Sequence, residues 1–432
     1  MSAPLKIAVA GLGTVGAGVV RLIARNEALL QRRCGRAVEV TAVSARDRGR
    51  DRGIELSRCE WFDDPVAMAA SADAEIVVEL IGGADGPAKA VAEAAIGARR
   101  HLVTANKALL ARHGTAIARA AEDAGIALGY EAAVAGGIPI IKALREGLAG
   151  NRIERLYGIL NGTCNYILTT MRETGRGFDA VLADAQALGY AEADPSFDVD
   201  GIDAAHKLAI LTAVAFGCEI DFDGIHVEGI RHVSAEDIRF AGELGYRIKL
   251  LGSARMTEHG IEQRVHPCMV KLSAPIAAVE GVFNAVVAEG DFVGTAMFEG
   301  RGAGAGPTAS AVVADIVDIA RGHRVPVFAV PARDLAPTRA APMDRHWGAY
   351  YLRLMVMDEP GVIADIAGIF RDERVSMEAI LQRSRDPGEP VPVVIVTHET
   401  EEARMTRALA RIAALETIAE PPRMIRIEPL ER

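Results

Sequence analysis

Several features that define other classes of protein are scarce in this sequence of 432 residues. The five cysteines are scattered, without a C-x-x-C pair, which indicates a reducing compartment, the cytoplasm, and disfavours a disulfide framework. The ten histidines show no ligand spacing, so we expect no structural transition metal. No apolar run approaches the ~20 residues that span a bilayer, and the segment MSAPLKIAVAGLG passes into a glycine turn rather than forming a signal peptide.

A basic surface is lacking as well. The formal net charge is −10, whereas nucleic acids select positively charged surfaces, so we expect neither a nucleic-acid nor a membrane partner. Half of the residues are hydrophobic and a quarter are charged, which is typical of a globular protein. This length suits two or three domains and allows a sizeable core.

The pattern of strands and helices changes along the chain. Residues 1–140 alternate buried strands, such as LKIAVA and VEVTAVS, with helices, the first running from Thr14 to about Leu30. This rhythm predicts βαβ units and a Rossmann-type parallel sheet. Residues 141–304 predict an α+β domain with a long apolar helix from about Gly201 to Phe216 and three later strands. A helix over 305–322 is expected to pack back on the first domain.

The C-terminal part lies beyond a run of prolines. Pro326, Pro331, Pro337 and Pro342 predict a stiff, helix-poor linker over 323–347. Residues 348–432 then show the order of a βαββαβ unit. The predicted fold class is therefore α/β, with a Rossmann-type domain, an α+β domain and a βαββαβ domain.

The hexapeptide GLGTVG predicts a dinucleotide site, because it lies between a strand and a helix. Gly11 permits the tight turn, Gly13 lets a pyrophosphate approach and Gly16 allows helix–sheet packing, while the helix N-terminus offers free N–H groups. The predicted cofactor contacts are Gly11, Leu12, Gly13, Thr14, Val15 and Gly16. Arg46 follows the second strand, where an acidic residue would bind the ribose of NAD, and thus favours NADP. A solvated Arg46 is the alternative.

The segment AEADPSFDVDGIDAAHK, residues 191–207, places five carboxylates ahead of Lys207. Like charges at this density repel one another unless a cation lies among them. One interpretation is a solvated loop in which Asp200 caps the next helix and Asp203 forms an ordinary i,i+4 salt bridge with Lys207. The other is a site for a cationic small molecule, with Lys207 taking part in the chemistry.

Over residues 4–330 the chain resembles homoserine dehydrogenases, and its tail, with DEPGVIADIAGIF, resembles an ACT domain. Besides GLGTVG and the acidic segment, the matching stretches are VVELIGG, VTANKALLA, NGTCNYIL and GRGAGAGPTASAV. The resemblance implies reversible, NAD(P)-dependent interconversion of L-aspartate 4-semialdehyde and L-homoserine, in threonine, methionine and isoleucine biosynthesis. It also implies that the second domain binds substrate and mediates dimerisation, giving a homodimer or homotetramer.

The same resemblance implies roles for individual residues. Lys207 and Lys107 would be catalytic, since a lysine can stabilise negative charge on the aldehyde oxygen and donate a proton to it. The implied substrate contacts are Glu192, Asp203 and Asp198; the further cofactor contacts are Lys107, Gly189 and Gly304. A monovalent cation, Na⁺, is implied within EAAVAGGIPII, bound by Glu131, Val134, Gly136 and Ile138.

Two alternative functions stay open at this stage. Cys164 opens a helix in NGTCNY, where a thiolate can be stabilised, as a phosphorylating aldehyde dehydrogenase would need. The histidine base that usually accompanies such a cysteine is not near it in the sequence. The second alternative is a non-catalytic sensor of amino acids or NADP.

The ACT resemblance points to regulation. ACT domains bind amino acids between paired modules, with the ligand loop here at residues 358–362, so threonine is the expected effector. A dimerisation module without ligand binding is the alternative. One departure concerns Arg374, which stands where a left-handed helix cap usually takes Gly or Asn.

Overall fold

A computed structural model describes residues 3–383, 386 and 389–430. The first part of the chain forms six strands and five helices: β1 Leu5–Ala10, α1 Thr14–Arg25, α2 Glu27–Cys34, β2 Val38–Ser44, β3 Glu60–Phe62, α3 Pro65–Ser71, β4 Ile76–Glu79, α4 Pro87–Gly97, β5 His101–Thr104, α5 Lys107–Asp123 and β6 Leu128–Gly129. All six strands are parallel, in the order β3-β2-β1-β4-β5-β6. This is the order of a Rossmann sheet, in which ligands bind beyond the carboxyl ends of the strands.

The first helix is shorter than its apolar spacing predicts. The chain turns at Asn26, whose φ of −108° and ψ of 21° lie outside the helical range, so α1 and α2 are separate helices. Gly18 of α1 lies against the first turn of the later helix over Ala305–Ala320, where a Cβ would stand 3.0 Å from the Ala305 carbonyl oxygen. That later helix therefore packs on the Rossmann domain.

The middle part follows with a mixed set of elements: α6 Ile140–Lys142, β7 Ile153–Ile159, α7 Gly162–Thr174, α8 Phe178–Ala187, α9 Ser196–Val199, α10 Ile202–Phe216, β8 His226–Val227, α11 Ala235–Glu243, β9 Tyr246–Thr257, β10 Gly260–Lys271, β11 Phe283–Gly290, β12 Gly294–Arg301 and α12 Ala305–Ala320. The long apolar helix predicted from about Gly201 is α10. It is buried on almost every side, because it lies between α5 and the strands β7, β9 and β10. Strands β8 and β9 were not predicted.

The C-terminal unit comprises β13 Trp347–Met357, α13 Val362–Asp372, β14 Met377–Gln382, β15 Pro390–Thr397, β16 Thr400–Glu401, α14 Glu402–Ala413 and β17 Arg423–Glu428. Its sheet is not separate from that of the middle part. Strand β17 pairs in parallel with β10, so one sheet runs β12-β11-β7-β9-β10-β17-β13-β15-β14. The proline-rich linker lies along the body of the protein, where the Ile261 amide donates to the Arg339 carbonyl at 2.8 Å.

Two further observations concern helices. Arg374, after the end of α13, has a φ of 58°, so it adopts the left-handed conformation despite its Cβ. Among the described residues, no helix is long and apolar enough to cross a membrane.

Candidate active site

The glycine loop has the close contacts that its sequence predicts. A Cβ on Gly11, whose φ is 100°, would stand 2.5 Å from the Leu80 carbonyl oxygen, and one on Gly16 would stand 2.0 Å from the Gly11 oxygen. Gly13, in contrast, faces open space, with nothing within 4 Å of the position that a Cβ would take. A pyrophosphate can therefore approach the backbone at Gly13 and the N-terminus of α1.

An arginine-rich loop follows β2 beside the glycine loop. Arg46 is exposed, and its side chain makes no hydrogen bond or ion pair with the described residues. Arg52 donates from Nε to the Leu12 carbonyl at 3.1 Å, which joins the two loops. The guanidinium groups of Arg48 and Arg52 lie 5.7 and 5.8 Å from the centroid of the Trp61 ring. The prediction from the sequence named Arg46 alone, although the run RDRGRDRG signals the whole loop.

Buried polar contacts fix the start of α5, which carries Lys107. Glu79, at the end of β4, accepts a hydrogen bond from Thr104 Oγ1 at 2.6 Å and from the Ile81 amide at 2.7 Å. Asn106 caps α5 by accepting from the Leu109 amide at 3.0 Å. Lys107 is therefore held at the carboxyl edge of the parallel sheet, on the side where the glycine loop lies.

Asp203 lies at the centre of the site and joins two lysines. Its Oδ1 is 3.0 Å from Nζ of Lys107, and its Oδ2 accepts from Nζ of Lys207 at 2.7 Å. Lys207 also donates to the Leu160 carbonyl oxygen at 2.7 Å. The i,i+4 salt bridge considered from the sequence is thus present, but it is buried and shared with a lysine 96 positions before Asp203.

Asn161 connects the two aspartates, a role that was not predicted from the sequence. Its Nδ2 donates to Asp198 at 2.7 Å and to Asp203 at 2.8 Å, while its Oδ1 caps α7 by accepting from the Cys164 amide at 2.8 Å. The stretch NGTCNY, an asparagine directly before a helix, was the available signal.

The environments of the two aspartates push their pKa values apart. Burial opposes ionisation of Asp203, but the charges of Lys207 and Lys107 outweigh it and hold its pKa well below the usual range. Burial, together with the negative charge of Asp203, raises the pKa of Asp198. Such a divergent pair beside two ammonium groups is typical of an acid–base site.

The other residues predicted from the acidic segment and the glycines make no contact with this cluster among those that the structure describes. Glu192 is exposed, and its side chain makes no hydrogen bond or ion pair with the described residues. Gly189 and Gly304 have φ values of 73° and 118°, conformations that a side chain would strain. Asp200 does not cap α10, because Gly201 precedes that helix; its carboxylate pairs instead with Arg231 at 2.5 Å.

Cys164 is not a nucleophile in this environment. The residue is fully buried, and burial, followed by the charges of Asp198 and Asp203, raises the pKa of its thiol well above the usual value. Its Sγ donates to the Asp198 carbonyl oxygen at 3.2 Å. The thiolate that a thioester mechanism requires is therefore disfavoured.

The predicted cation segment is buried and rich in oxygen. The Glu131 carboxylate accepts from the amides of Ile141 and Lys142 at 2.8 and 3.0 Å, and the Glu131 amide donates to the Asp315 carboxylate at 2.9 Å. Burial and the charge of Asp315 raise the pKa of Glu131 to about 7. Gly136, with a φ of 24°, lies where a Cβ would stand 2.7 Å from the Gly302 carbonyl oxygen. No group of three or more His, Cys, Asp and Glu side chains in the described part of the chain is placed to hold a metal ion.

A parallel sheet with a glycine-rich phosphate loop, adjoining a buried lysine–carboxylate cluster, defines a dinucleotide-dependent oxidoreductase. Comparison with known proteins gives the family. Residues 11–131 match the family model for the NAD-binding domain of homoserine dehydrogenase, residues 139–317 match that for homoserine dehydrogenase, and residues 350–417 match that for the ACT domain. The chain therefore belongs to the homoserine dehydrogenase family, and the resemblance and fold class stated from the sequence are confirmed.

Individual relatives agree with this assignment. A homoserine dehydrogenase of Neisseria gonorrhoeae is 47% identical over 433 residues, which cover 99% of each chain. The crystal structure of a homoserine dehydrogenase from Thiobacillus denitrificans has a TM-score of 0.94 and 47% identity, covering 99% of each chain. A hyperthermophilic archaeal homoserine dehydrogenase in complex with NADPH has a TM-score of 0.64 and 27% identity, covering 74% of this chain and 99% of that one.

Proposed function

We propose that the chain reduces L-aspartate 4-semialdehyde to L-homoserine, reversibly and preferentially with NADP, through the lysines that Asp203 joins. The observation that carries the proposal is the position of Asp203, 3.0 Å from Lys107 Nζ and 2.7 Å from Lys207 Nζ. When bound, the dinucleotide supplies or accepts the hydride at the aldehyde carbon. Two ammonium groups beside that carbon stabilise the oxygen as negative charge develops, and one of them donates the proton.

Asp203 holds the two lysines in place. A carboxylate has about four lone-pair sites, and Asn161, Lys107 and Lys207 occupy three of those on Asp203. One site on Oδ1 remains for the substrate ammonium. Asp198, of which only Oδ1 has a partner among the described side chains, and the exposed Glu192 complete the acidic surroundings of that ammonium.

NADP preference rests on the arginines after β2. Arg46 has no partner among the described residues, and Arg52 ties its loop to Leu12 of the glycine loop. Guanidinium groups bind phosphate through charge-assisted hydrogen bonds, so this loop suits the extra phosphate of NADP. The archaeal relative named above is in complex with NADPH.

A monovalent cation, Na⁺, fits the segment from Glu131 to Ile138. The buried carboxyl groups of Glu131 and Asp315 offer oxygen ligands, and the turn at Gly136 lets carbonyl oxygens point inward. Glu131 and the backbone oxygens of Val134, Gly136 and Ile138 would hold it. The ion would fix the junction between the Rossmann and substrate domains rather than take part in catalysis.

Regulation and assembly complete the proposal. Threonine at the ACT domain would act on the loop 358–362, where Gly361 has a φ of 101°.

A homodimer or homotetramer is supported by Phe292, which is 89% exposed at the turn between β11 and β12, and by the edge strand β12. A cytoplasmic location accords with five free cysteines.

The test is to follow absorbance of the reduced nicotinamide with purified protein and L-homoserine, with NADP and NAD in parallel and with or without threonine. Turnover on homoserine is expected with both cofactors and a higher kcat/KM with NADP. Arg46→Ala should raise the KM for NADP about tenfold or more, because a hydrogen bond to a charged group is lost. The KM for NAD should stay unchanged.

Other outcomes would contradict separate parts of the proposal. Folded protein that binds NADP without turnover would favour the sensor alternative. An equal effect of Arg46→Ala on both cofactors would refute the role of Arg46 in NADP selection. If threonine changes neither the activity nor the oligomeric state, the ACT domain is not a threonine sensor.

A further inference from the structure

Phe197 is an exposed aromatic side chain at the edge of the active site. It lies in α9 within the acidic segment, directly before Asp198, and 42% of it is exposed. The centroid of its ring lies 5.5 Å from Nζ of Lys107. The mechanism proposed above assigns nothing to this residue, although an exposed aromatic ring contributes little to a core.

The two proposed catalytic lysines are held unequally. Lys207 donates to both Asp203 and the Leu160 carbonyl, and only 10% of its side chain is exposed. Among the described residues Lys107 has one carboxylate partner, Asp203, and 33% of its side chain is exposed. An ammonium group on a flexible chain with one ionic partner can turn away into water. Lys107 therefore needs a second contact if it is to stay in the site.

The face of an aromatic ring supplies such a contact, because its quadrupole attracts a cation. Lys107 begins α5 on the Rossmann domain, whereas Phe197 belongs to the segment of the middle domain that carries Asp198 and Asp203. The contact therefore crosses the cleft between the two domains. Like the ion pair between Lys107 and Asp203, this contact holds the ammonium group in the cleft.

His206 orients the ring of Phe197. The two ring centroids are 5.5 Å apart, and the centroid of the Phe222 ring lies 4.6 Å from that of His206. The imidazole is only 7% exposed, and its Nδ1 has no hydrogen-bond partner in the described structure. A buried, uncharged His206 extends the core toward the cleft without repelling Lys107.

We propose that Phe197 is a positioning residue for Lys107: its ring, oriented by His206, holds the ammonium group against Asp203 and covers the open side of the cleft. This inference rests on the catalytic role proposed for Lys107. It predicts that the ring face, rather than apolar bulk alone, matters for turnover. The charged and titratable groups that face Lys107, and that every variant below retains, are Asp203, Asp198, Lys207 and His206.

The experiment compares Phe197→Leu, which keeps an apolar side chain but removes the ring face, with Phe197→Tyr, which keeps both. The oxidation of L-homoserine is measured at one fixed pH, with kcat and KM determined separately. For Phe197→Leu we expect kcat to fall about two- to fivefold, since the ring face that holds the ammonium group is lost. The KM for NADP should not change. Phe197→Tyr should behave as the unaltered protein.

Three results would overturn the inference. Phe197→Leu could keep the unaltered kcat, which would leave the ring without a role. Equal impairment of the Leu and Tyr variants would assign the effect to local packing rather than to the ring face. Lys107→Met is measured in parallel. Full activity of Lys107→Met would refute the catalytic role of Lys107 itself. If Lys107→Met loses activity while Phe197→Leu keeps it, only the role of Phe197 is refuted.

Discussion

Two clusters of charged side chains differ in how completely their carboxylates are paired. The site cluster consists of Lys107, Lys207, Asp198 and Asp203. The seam cluster lies where β17 joins β10 and consists of Arg155, Arg264, Arg426, Glu228, Glu262, Glu402 and Glu428. Every carboxylate of the seam cluster lies within 3.0 Å of an arginine nitrogen.

The site cluster is less complete. Asp203 keeps an accepting position, the Asp198 carboxylate has one side-chain partner among the described residues, the Asn161 amide, and a third of the Lys107 side chain is exposed. Buried charges that only stabilise a fold neutralise one another, because a lone buried charge is costly. Charged groups that bind and transform a substrate must keep hydrogen-bonding positions open for that substrate. Changes in the site cluster should therefore reduce catalysis, and changes in the seam cluster should reduce stability.

Lys207→Met should have the largest effect on catalysis. Loss of a positioned proton donor lowers turnover by about 10²–10⁴-fold, and methionine keeps much of the buried volume. The measurement is kcat with L-homoserine, together with NADP binding to verify the folded state. Lys89→Met, on the surface of α4, is the control and should keep full activity. Activity within tenfold of the unaltered protein would refute the proposed role of Lys207.

Glu428→Gln should reduce stability more than activity. Glu428 lies 3.0 Å from Arg264 and 2.5 Å from Arg155, and removing one partner of a buried ion pair costs about 3–5 kcal/mol of unfolding free energy. Chemical denaturation measures this loss, and Glu420→Gln, an exposed residue, is the control. If Glu428→Gln left stability unchanged but abolished kcat at low temperature, the contrast between the two clusters would be wrong.

His206→Gln should make the free energy of unfolding fall less steeply as the pH is lowered. Burial lowers the pKa of His206 to about 4 from its usual 6.5, so the unfolded chain takes up this proton first as pH falls. The contribution is fully present above pH 6.5 and is lost toward pH 4, an effect of about 1–3 kcal/mol. Unfolding free energies between pH 7 and 4.5 measure it, with the exposed His398→Gln as control. If the free energy of unfolding of His206→Gln fell with pH as steeply as that of the unaltered protein, the prediction would be wrong.

Cys164→Ala should have the smallest effect. Its thiol is fully buried beside Asp198 and takes no part in the proposed mechanism, so kcat should stay within about twofold and stability should fall by about 1 kcal/mol. Steady-state kinetics and thermal unfolding measure both, with Cys218→Ala, another buried thiol, for comparison. Loss of activity confined to Cys164→Ala would revive the thioester mechanism.

The sequence by itself determined the local features and the family. Apolar runs and glycines encode β1, the glycine loop and the helix α10, because backbone conformation and burial of one face depend on neighbouring residues. The pattern also failed locally where a polar residue, Asn26, separates α1 from α2. Motif similarity named Lys107, Lys207 and Asp203 without indicating that one carboxylate joins them.

Only the tertiary structure decided which distant residues meet. Asn161 binds Asp198 and Asp203 because α7 starts beside α10, and no periodicity in the sequence encodes that neighbourhood. The continuous sheet across β10 and β17 likewise depends on the pairing of strands more than 150 residues apart, since Cys268 lies opposite Arg426. Such contacts arise when preformed elements pack together, so their partners are set by the shape and burial of the whole chain rather than by any local segment.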